Sequence, residues 1–268
     1  MSFTGVPMPL TIAVCVKSVV TAAPAEGPGP TVARSVENSA MNPFDRVALE
    51  LACQLRDAFG GSVAAISMGP APARFSLATA LAAGADRAAL LSDPLLAGGD
   101  TLATSRTLAA GVRRLGPFDL VMLGARSSDS DSGQVGAQTA QILGLPFVSQ
   151  AVALAAAEGG LTVTRRADGF VEVFAVSLPA AVSVHPRAAE PRDLPLSCIA
   201  AAFEQKPVEV LSAADLGLDP GEVGLAGSPT RVVSMTRAAK KRRCEFLEGS
   251  SDAVAEELVA RWTAKGYI

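Results

Sequence analysis

Apolar positions along the first 145 residues follow two alternating periods. Leu10–Val16 is a short, continuous apolar and β-branched run, the pattern of a strand buried on both faces. The stretch opening at Asn42-Pro43 instead carries Val47, Leu51 and Leu55, with Ala48 and Ala52, at helical spacing. Asn42 suits the N-cap and Pro43 the first turn, and Gly60-Gly61 ends the helix. Ser62–Ser67 then reads as a strand, residues 72–83 as a small-residue helix closed by Gly84, and Ala88–Leu91 as a strand. After the Gly98-Gly99 loop, a helix is predicted over about Asp100 to Arg114 and a strand over Asp119–Leu123. Ala137–Leu143 predicts another helix, stopped by Gly144 and Pro146. This alternation predicts an α/β fold with a parallel sheet and right-handed crossovers.

From residue 147 the texture changes. Val148–Leu154, Leu161–Arg166, Phe170–Ser177 and Ala180–His185 are strand-like, with turns at Glu158-Gly-Gly and Ala167-Asp-Gly, and predict a meander added to the same domain. Residues 186–211 are rich in Pro and mixed polar residues and predict an exposed loop. Residues 211–229 are turn-rich, Arg237–Arg243 is a basic run, and Ser251–Lys265 predicts a terminal helix with Val254, Leu258 and Trp262 on one face. Residues 1–9 read as a loose leader, and Ser18–Ser39 as a long excursion of the functional or mobile kind. The expected division is a domain over 1–210, including a loop at about 184–206, and a C-terminal arm over 211–268.

Composition narrows the chemistry. With 49% hydrophobic and 18% charged residues, 268 residues bury a sizeable core, and few aromatics suit helices packed on a parallel sheet. A formal charge of −3 and a pI near 5.3 argue against nucleic acid or an anionic membrane as partner. The single histidine, His185, excludes a multi-histidine zinc site; without a G-x-S-x-G elbow it also gives no support to a Ser-His-Asp triad. Followed by Pro186 at a strand end, it reads as structural. Cys15, Cys53, Cys198 and Cys244 lie far apart with no C-x-x-C pair, the usage of reduced, mostly buried thiols in a cytoplasmic protein. No basic region precedes Leu10–Val16, and no uncharged apolar stretch reaches bilayer length, so the expectation is a cytoplasmic protein without membrane insertion.

The most telling stretch is Gly124–Gly136, Gly-Ala-Arg-Ser-Ser-Asp-Ser-Asp-Ser-Gly-Gln-Val-Gly, set between a predicted strand and a predicted helix. Small side chains permit close approach, and the amides of a helix start favour an anion. Asp129 or Asp131 is placed to cap that helix or to hold a ribose hydroxyl. The same pattern also fits an ordinary capped connection, since the loop has neither a P-loop ending nor a dinucleotide fingerprint. Ligands of such sheets bind beyond the strands' carboxyl ends, here Val16-Lys17, Ser67-Met68, Ser92-Asp93 and Gly124.

Six ordered blocks along the chain resemble the β subunit (small subunit) of electron transfer flavoproteins. They are Val14–Lys17, Met41-Asn-Pro-Phe44, Ser67-Met-Gly-Pro70, Gly84-Ala-Asp-Arg87, the Gly124–Gly136 loop, and Glu190-Pro-Arg192. The resemblance implies an adenine-nucleotide-binding α/β domain of Rossmann-like type, with the added meander and an extended arm packing on an α subunit. It implies a heterodimer passing electrons from flavin-dependent dehydrogenases to a quinone oxidoreductase or another acceptor, with FAD held mainly by the α subunit. The implied β-subunit site comprises Cys15, Asn42, Pro43, Phe44, Asp45, Met68, Gly124, Ala125, Arg126, Ser127, Ser128, Asp129, Ser130, Asp131, Ser132, Gly133, Gln134 and Val135. Phe44 lies where the family brings an aromatic near the α-bound flavin. The Glu190–Gln205 loop resembles the docking segment for dehydrogenases, with Glu190, Pro191, Arg192, Leu194 and the anchor Leu196.

The chain departs from AMP-binding members, which carry Asn and Thr at Gly133 and Val135. Its Gly-Gln-Val-Gly ending is closer to the electron-bifurcating or nitrogen-fixation-linked branch, in which a second, redox-active FAD takes the AMP site and NADH is oxidised. Ala22 replaces an aromatic after the first strand, and the lysines after the docking loop are reduced to Lys206. AMP and a second FAD both stay open, as does a rival of another class, a stand-alone nucleotide-binding regulatory module.

Overall fold

A computed structural model describes residues 9–21, 37–157, 159–205, 207–234 and 244–268. Ala22, Lys206, the basic run Arg237–Arg243, Glu158 and most of the expected leader and excursion lie outside these residues. The chain divides into two compact units, Met1–Val232 and Val233–Ile268.

The first unit is a nine-stranded, mostly parallel sheet covered on both faces by helices. In chain order its elements are β1 (Leu10–Cys15), the short pair β2 (Ser18–Val20) and β3 (Ser39–Met41), α1 (Pro43–Phe59), β4 (Gly61–Met68), α2 (Arg74–Ala82), β5 (Arg87–Leu91), α3 (Thr101–Leu115), β6 (Leu120–Gly124) and α4 (Val135–Leu143). Next come β7 (Phe147–Ala157), β8 (Gly160–Ala167), β9 (Phe170–Ser177), β10 (Ala180–Val184), α5 (Leu196–Gln205) and β11 (Val208–Leu211). The sheet order is β11-β5-β4-β1-β6-β10-β7-β8-β9, and β2 pairs β3 separately. Alternate residues of β1 feed two cores: Ile12 and Val14 face α1 and α2, while Ala13 and Cys15 join the cluster under α3 and α4. Burial on both faces is why these strands read as unbroken apolar runs.

The alternating half matches the hydrophobic pattern closely, and the later half corrects it. The meander holds only β7, β8 and β9, which pair antiparallel. β10 returns to the sheet interior between β6 and β7, parallel to both. All five of its residues are buried, so it lacks the alternation of a strand with one solvated face. Residues 186–211 are not all loop. Pro195 O accepts the amides of Cys198 and Ile199 and opens α5, and β11 then pairs β5 at the sheet edge. The cysteines also differ from expectation: Cys15 and Cys53 are buried, but Cys198 and Cys244 are exposed.

In the second unit, α6 (Ser251–Ala264) starts on a Ser250 hydroxyl that accepts the Ala253 amide at 3.3 Å. It has no buried residue, and Trp262 is partly exposed. Among the described residues, no helix is long and apolar enough to cross a membrane.

Candidate functional site

β1 lies between β4 and β6, so the chain's path across the sheet reverses direction beside β1. The crevice beyond the carboxyl ends at such a reversal is where open α/β sheets bind ligands. Here the β6–α4 loop, residues 125–134, leaves the sheet at that edge.

The amino end of α1 fixes one side of that crevice. Asp45 is buried, and its two carboxylate oxygens accept the amides of Lys17 at 2.7 Å and Gly124 at 3.0 Å. One side chain thus ties the ends of β1 and β6 to the first turn of α1, where the helix dipole favours a carboxylate. Burial pushes the Asp45 carboxyl up to about 7, even though the two amides, Asn42 and Lys17 oppose the shift. Burial and the Asp45 charge likewise push the Cys15 thiol up to about 12, which leaves it a packing group rather than a nucleophile.

Asn42 stands at the N-cap of α1 but does not cap it with its side chain. Its amide group reaches the crevice loop instead: Nδ2 donates to Arg126 O at 2.9 Å and Oδ1 accepts the Ser128 amide at 3.2 Å. Pro43 opens the helix without needing a hydrogen-bond partner. Phe44 is half-buried, and the Arg126 guanidinium sits 5.1 Å from its ring centroid.

Asp129 and Asp131 do not cap α4. The Lys17 ammonium binds Asp129 at 2.6 Å, Ser130 Oγ at 2.9 Å and Ser127 Oγ at 3.2 Å. Asp131 lies 3.2 Å from Arg126 and adopts positive φ. Asp131 thus closes the loop on itself, while Asp129 ties it to the end of β1. The residue at the helix start is Gln134, and no side-chain hydrogen bond caps α4 there. Ser132, Gly133 and Gln134 are exposed at this start, with Gly133 at φ 64°, a conformation that glycine adopts without strain. The first amides of α4 are therefore free of a side-chain acceptor and suited to an anion such as phosphate. Met68, at the end of β4, packs partly buried on the same side of the sheet as Cys15 and Val135.

Lys17 is the residue that sequence reasoning missed. It closes the Val14–Lys17 block at the carboxyl end of β1, so its position was the available signal. Glu50 was missed too, because one acid within an amphipathic helix looks like any solvated residue; it is buried here.

The other predicted group lies elsewhere. Arg192 is bound to Glu50 of α1, Leu194 and Pro191 are half-buried, Glu190 is exposed, and Leu196 is 84% exposed at the start of α5. His185 is structural: its ring Nδ1 accepts the Arg187 amide at 3.1 Å in the turn after β10.

The family model described as electron transfer flavoprotein domain matches residues 30–216. The chain is 37% identical to an electron transfer flavoprotein subunit beta of Thermoanaerobacterium thermosaccharolyticum, over 89% of this chain and 91% of that one. It is 36% identical to the corresponding subunit of Clostridium acetobutylicum, over 97% and 100%. It is also 36% identical to the caffeyl-CoA reductase-Etf complex subunit CarD of Acetobacterium woodii, over 89% and 91%.

Proposed function

Because the chain belongs to the electron transfer flavoprotein family, we propose that it is the β subunit of a heterodimer relaying electrons from flavin-dependent dehydrogenases to a quinone oxidoreductase or another acceptor. The observation that carries this reading is the β6–α4 loop. It is pinned by Asn42 and Lys17 and delivers uncapped α4 amides to the reversal point of the sheet. That arrangement fits a nucleotide phosphate, with AMP as the ligand. The redox chemistry is supplied by the flavin, and this chain's groups bind, orient and exclude water. Phe44, with the Arg126 guanidinium over its ring, would offer an aromatic wall to a flavin held by the α subunit. Leu196 on the Glu190–Gln205 segment serves as the apolar anchor for dehydrogenases. The C-terminal arm, expected over 211–268 but folded as a unit of its own only from Val233, packs on the α subunit, a role in keeping with the exposed Trp262 and Tyr267.

A second reading, a redox-active FAD in the same site, is favoured by one feature. At Gly133 an added Cβ meets only Ala125 O, at 3.5 Å, and Val135 packs against the apolar cluster. No side chain at these two positions competes for a larger ligand. The test is to denature the heterodimer and quantify its nucleotides by chromatography. One FAD and one AMP per heterodimer support the first reading, and two FAD without AMP the second. A chain that forms no heterodimer and binds ATP alone defeats both.

A further inference from the structure

Two of the six ordered sequence blocks, Gly84–Arg87 and Glu190–Arg192, play no part in the nucleotide site, yet they meet on α1. Arg192 grips Glu50 three times: its own amide donates to Oε2 at 3.1 Å, Nε to Oε2 at 2.7 Å and Nη2 to Oε1 at 3.2 Å. Gln54 adds a bond to Oε1 at 2.9 Å, and Arg192 reaches Asp57 at 3.5 Å. Burial pushes the Glu50 carboxyl up, but the Arg192 and Gln54 bonds outweigh it and leave the group below the ordinary carboxylate range. A second guanidinium lies alongside. Arg56 binds Asp57 at 2.7 Å, Asp86 at 3.2 Å and the Gly84 carbonyl.

Gly84 sits between the two guanidinium groups. Its φ is +114°, and a Cβ there would lie 3.6 Å from nitrogens of both Arg192 and Arg56 and 3.4 Å from Cys53 Sγ. Asp86 is held in turn by the Val63 amide at 2.8 Å, which fixes the turn to β4. The network therefore joins the root of the 190–205 segment to α1 and to the α2–β5 turn. Bidentate Arg–carboxylate geometry sets direction as well as distance.

We propose that the Glu50–Arg192 pair is a positioning clamp that fixes where Leu196 and α5 are presented to a dehydrogenase. The pair does not touch the partner; it acts through the segment it anchors. Leu196 follows Arg192 by four residues, with Pro195 between them and α5 starting at once. The chain from clamp to anchor is short, so movement at Arg192 displaces Leu196 at the amino end of α5, whose later turns rest on α2 through Ala202 and the Phe75–Phe203 ring contact. The helix whose amino end holds the nucleotide loop thus holds the root of the docking segment as well. This inference rests on the docking role of Leu196 given above.

The test uses the full chain co-purified with its α partner, with Arg192→Lys, which keeps the charge and loses the fork, and Glu50→Gln. Arg165→Lys, at the separate β8–β9 ion pair, is the control. Hydrogen exchange is read at residues 193–205 and at β1 and β6. Affinity is read against a purified flavin-dependent dehydrogenase. We expect exchange at 193–205 to quicken by roughly tenfold, the factor given by losing one charge-assisted hydrogen bond, with β1 and β6 unchanged. Dehydrogenase affinity falls by a similar factor, and Arg192→Lys adds little when Leu196→Ala is already present. Unchanged exchange at 193–205, or equal quickening in β1 and β6, overturns the clamp. So does local quickening with unchanged affinity in a background where Leu196→Ala weakens binding. If Leu196→Ala itself leaves affinity intact, the docking reading fails, and the exchange data still decide whether the pair holds the segment.

Discussion

Asp45 Oδ1 accepts the Gly124 amide at 3.0 Å, in a gap so narrow that a Cβ on Gly124 would lie 2.4 Å from that oxygen. It would also lie 2.7 Å from the carbonyl carbon and the Cβ of Phe44. The end of β6 and the first turn of α1 are thus in backbone contact. The glycine that begins the crevice loop is required by that approach, while its φ is unexceptional.

Gly124→Ala should therefore damage the site and the fold together. Neither Phe44 backbone nor a buried carboxylate moves aside as a flexible side-chain tip does, so overpacking of about 3 kcal/mol is expected. Chemical denaturation and retained nucleotide per heterodimer measure the two effects. A variant that keeps both intact would show that α1 and β6 separate freely.

The Asp45 carboxyl gives the fold a pH dependence of defined sign. Its ordinary value is 3.8 and burial raises it to about 7 in the folded chain. The folded state thus binds more protons than the unfolded state between these values. The contribution is complete below about pH 4 and is lost as pH rises through about 7, by at most about 1.4 kcal/mol per pH unit. Asp45→Asn removes this dependence and leaves an amide N–H of Lys17 or Gly124 facing another donor, at a cost of about 2 kcal/mol. Denaturation of both proteins from pH 4 to 8 should show the native advantage shrinking as pH rises. An advantage that grows with pH would place the folded value below the unfolded one.

Most of the fold was legible because its strands and helices announce themselves by different periods. Leu10–Cys15 and Leu120–Gly124 are unbroken apolar runs, and α1 is a clean stripe. β10 was found as a strand but placed in the wrong neighbourhood. Its sequence, Ala-Ala-Val-Ser-Val, says that both faces are buried and leaves its neighbours unnamed. β11 and α5 were hidden by short length and by Pro195 and Pro207, which read as punctuation. In the site, the residue types of the loop were legible and their partners were not. Asn42 looked like a cap, and Asp129 and Asp131 looked like caps or ligands. Lys17 and Arg126, which occupy those carboxylates, come from other positions on the chain or around the turn, and only the fold brings them together.

Lys17 can be tested apart from the fold. Its ammonium is the common partner of Ser127, Asp129 and Ser130, but the side chain is about one-third exposed, so solvent screens the pair. Lys17→Gln should lower nucleotide affinity about fivefold, the effect of roughly 1 kcal/mol, with little change in melting temperature. Isothermal titration with AMP after nucleotide stripping reads this directly. Unchanged affinity would mean that Asn42 and the loop's own bonds, Arg126–Asp131 among them, hold its shape without Lys17.

Thr139 offers a change in the opposite direction. It is fully buried in α4, and its hydroxyl has no hydrogen-bond partner among the described residues. Thr139→Val keeps the shape and removes an unsatisfied group, so a gain of about 1 kcal/mol is expected in urea denaturation. A lower midpoint would show that a buried water satisfies the hydroxyl.

Leu196 separates a docking role from a packing role most cleanly. A leucine folded back on its own domain would cost about 2 to 5 kcal/mol of stability when cut to alanine. At 84% exposed, Leu196 has little packing to lose, so Leu196→Ala should move stability by less than about 0.5 kcal/mol. As an anchor filling a pocket on a dehydrogenase, the same truncation should weaken that complex by about 2 kcal/mol, roughly thirtyfold. The two numbers come from one variant: denaturation of the heterodimer gives the first, and titration with a purified flavin-dependent dehydrogenase gives the second. Lost stability with unchanged affinity would return Leu196 to the core, while intact stability with weakened binding fixes it at the partner interface.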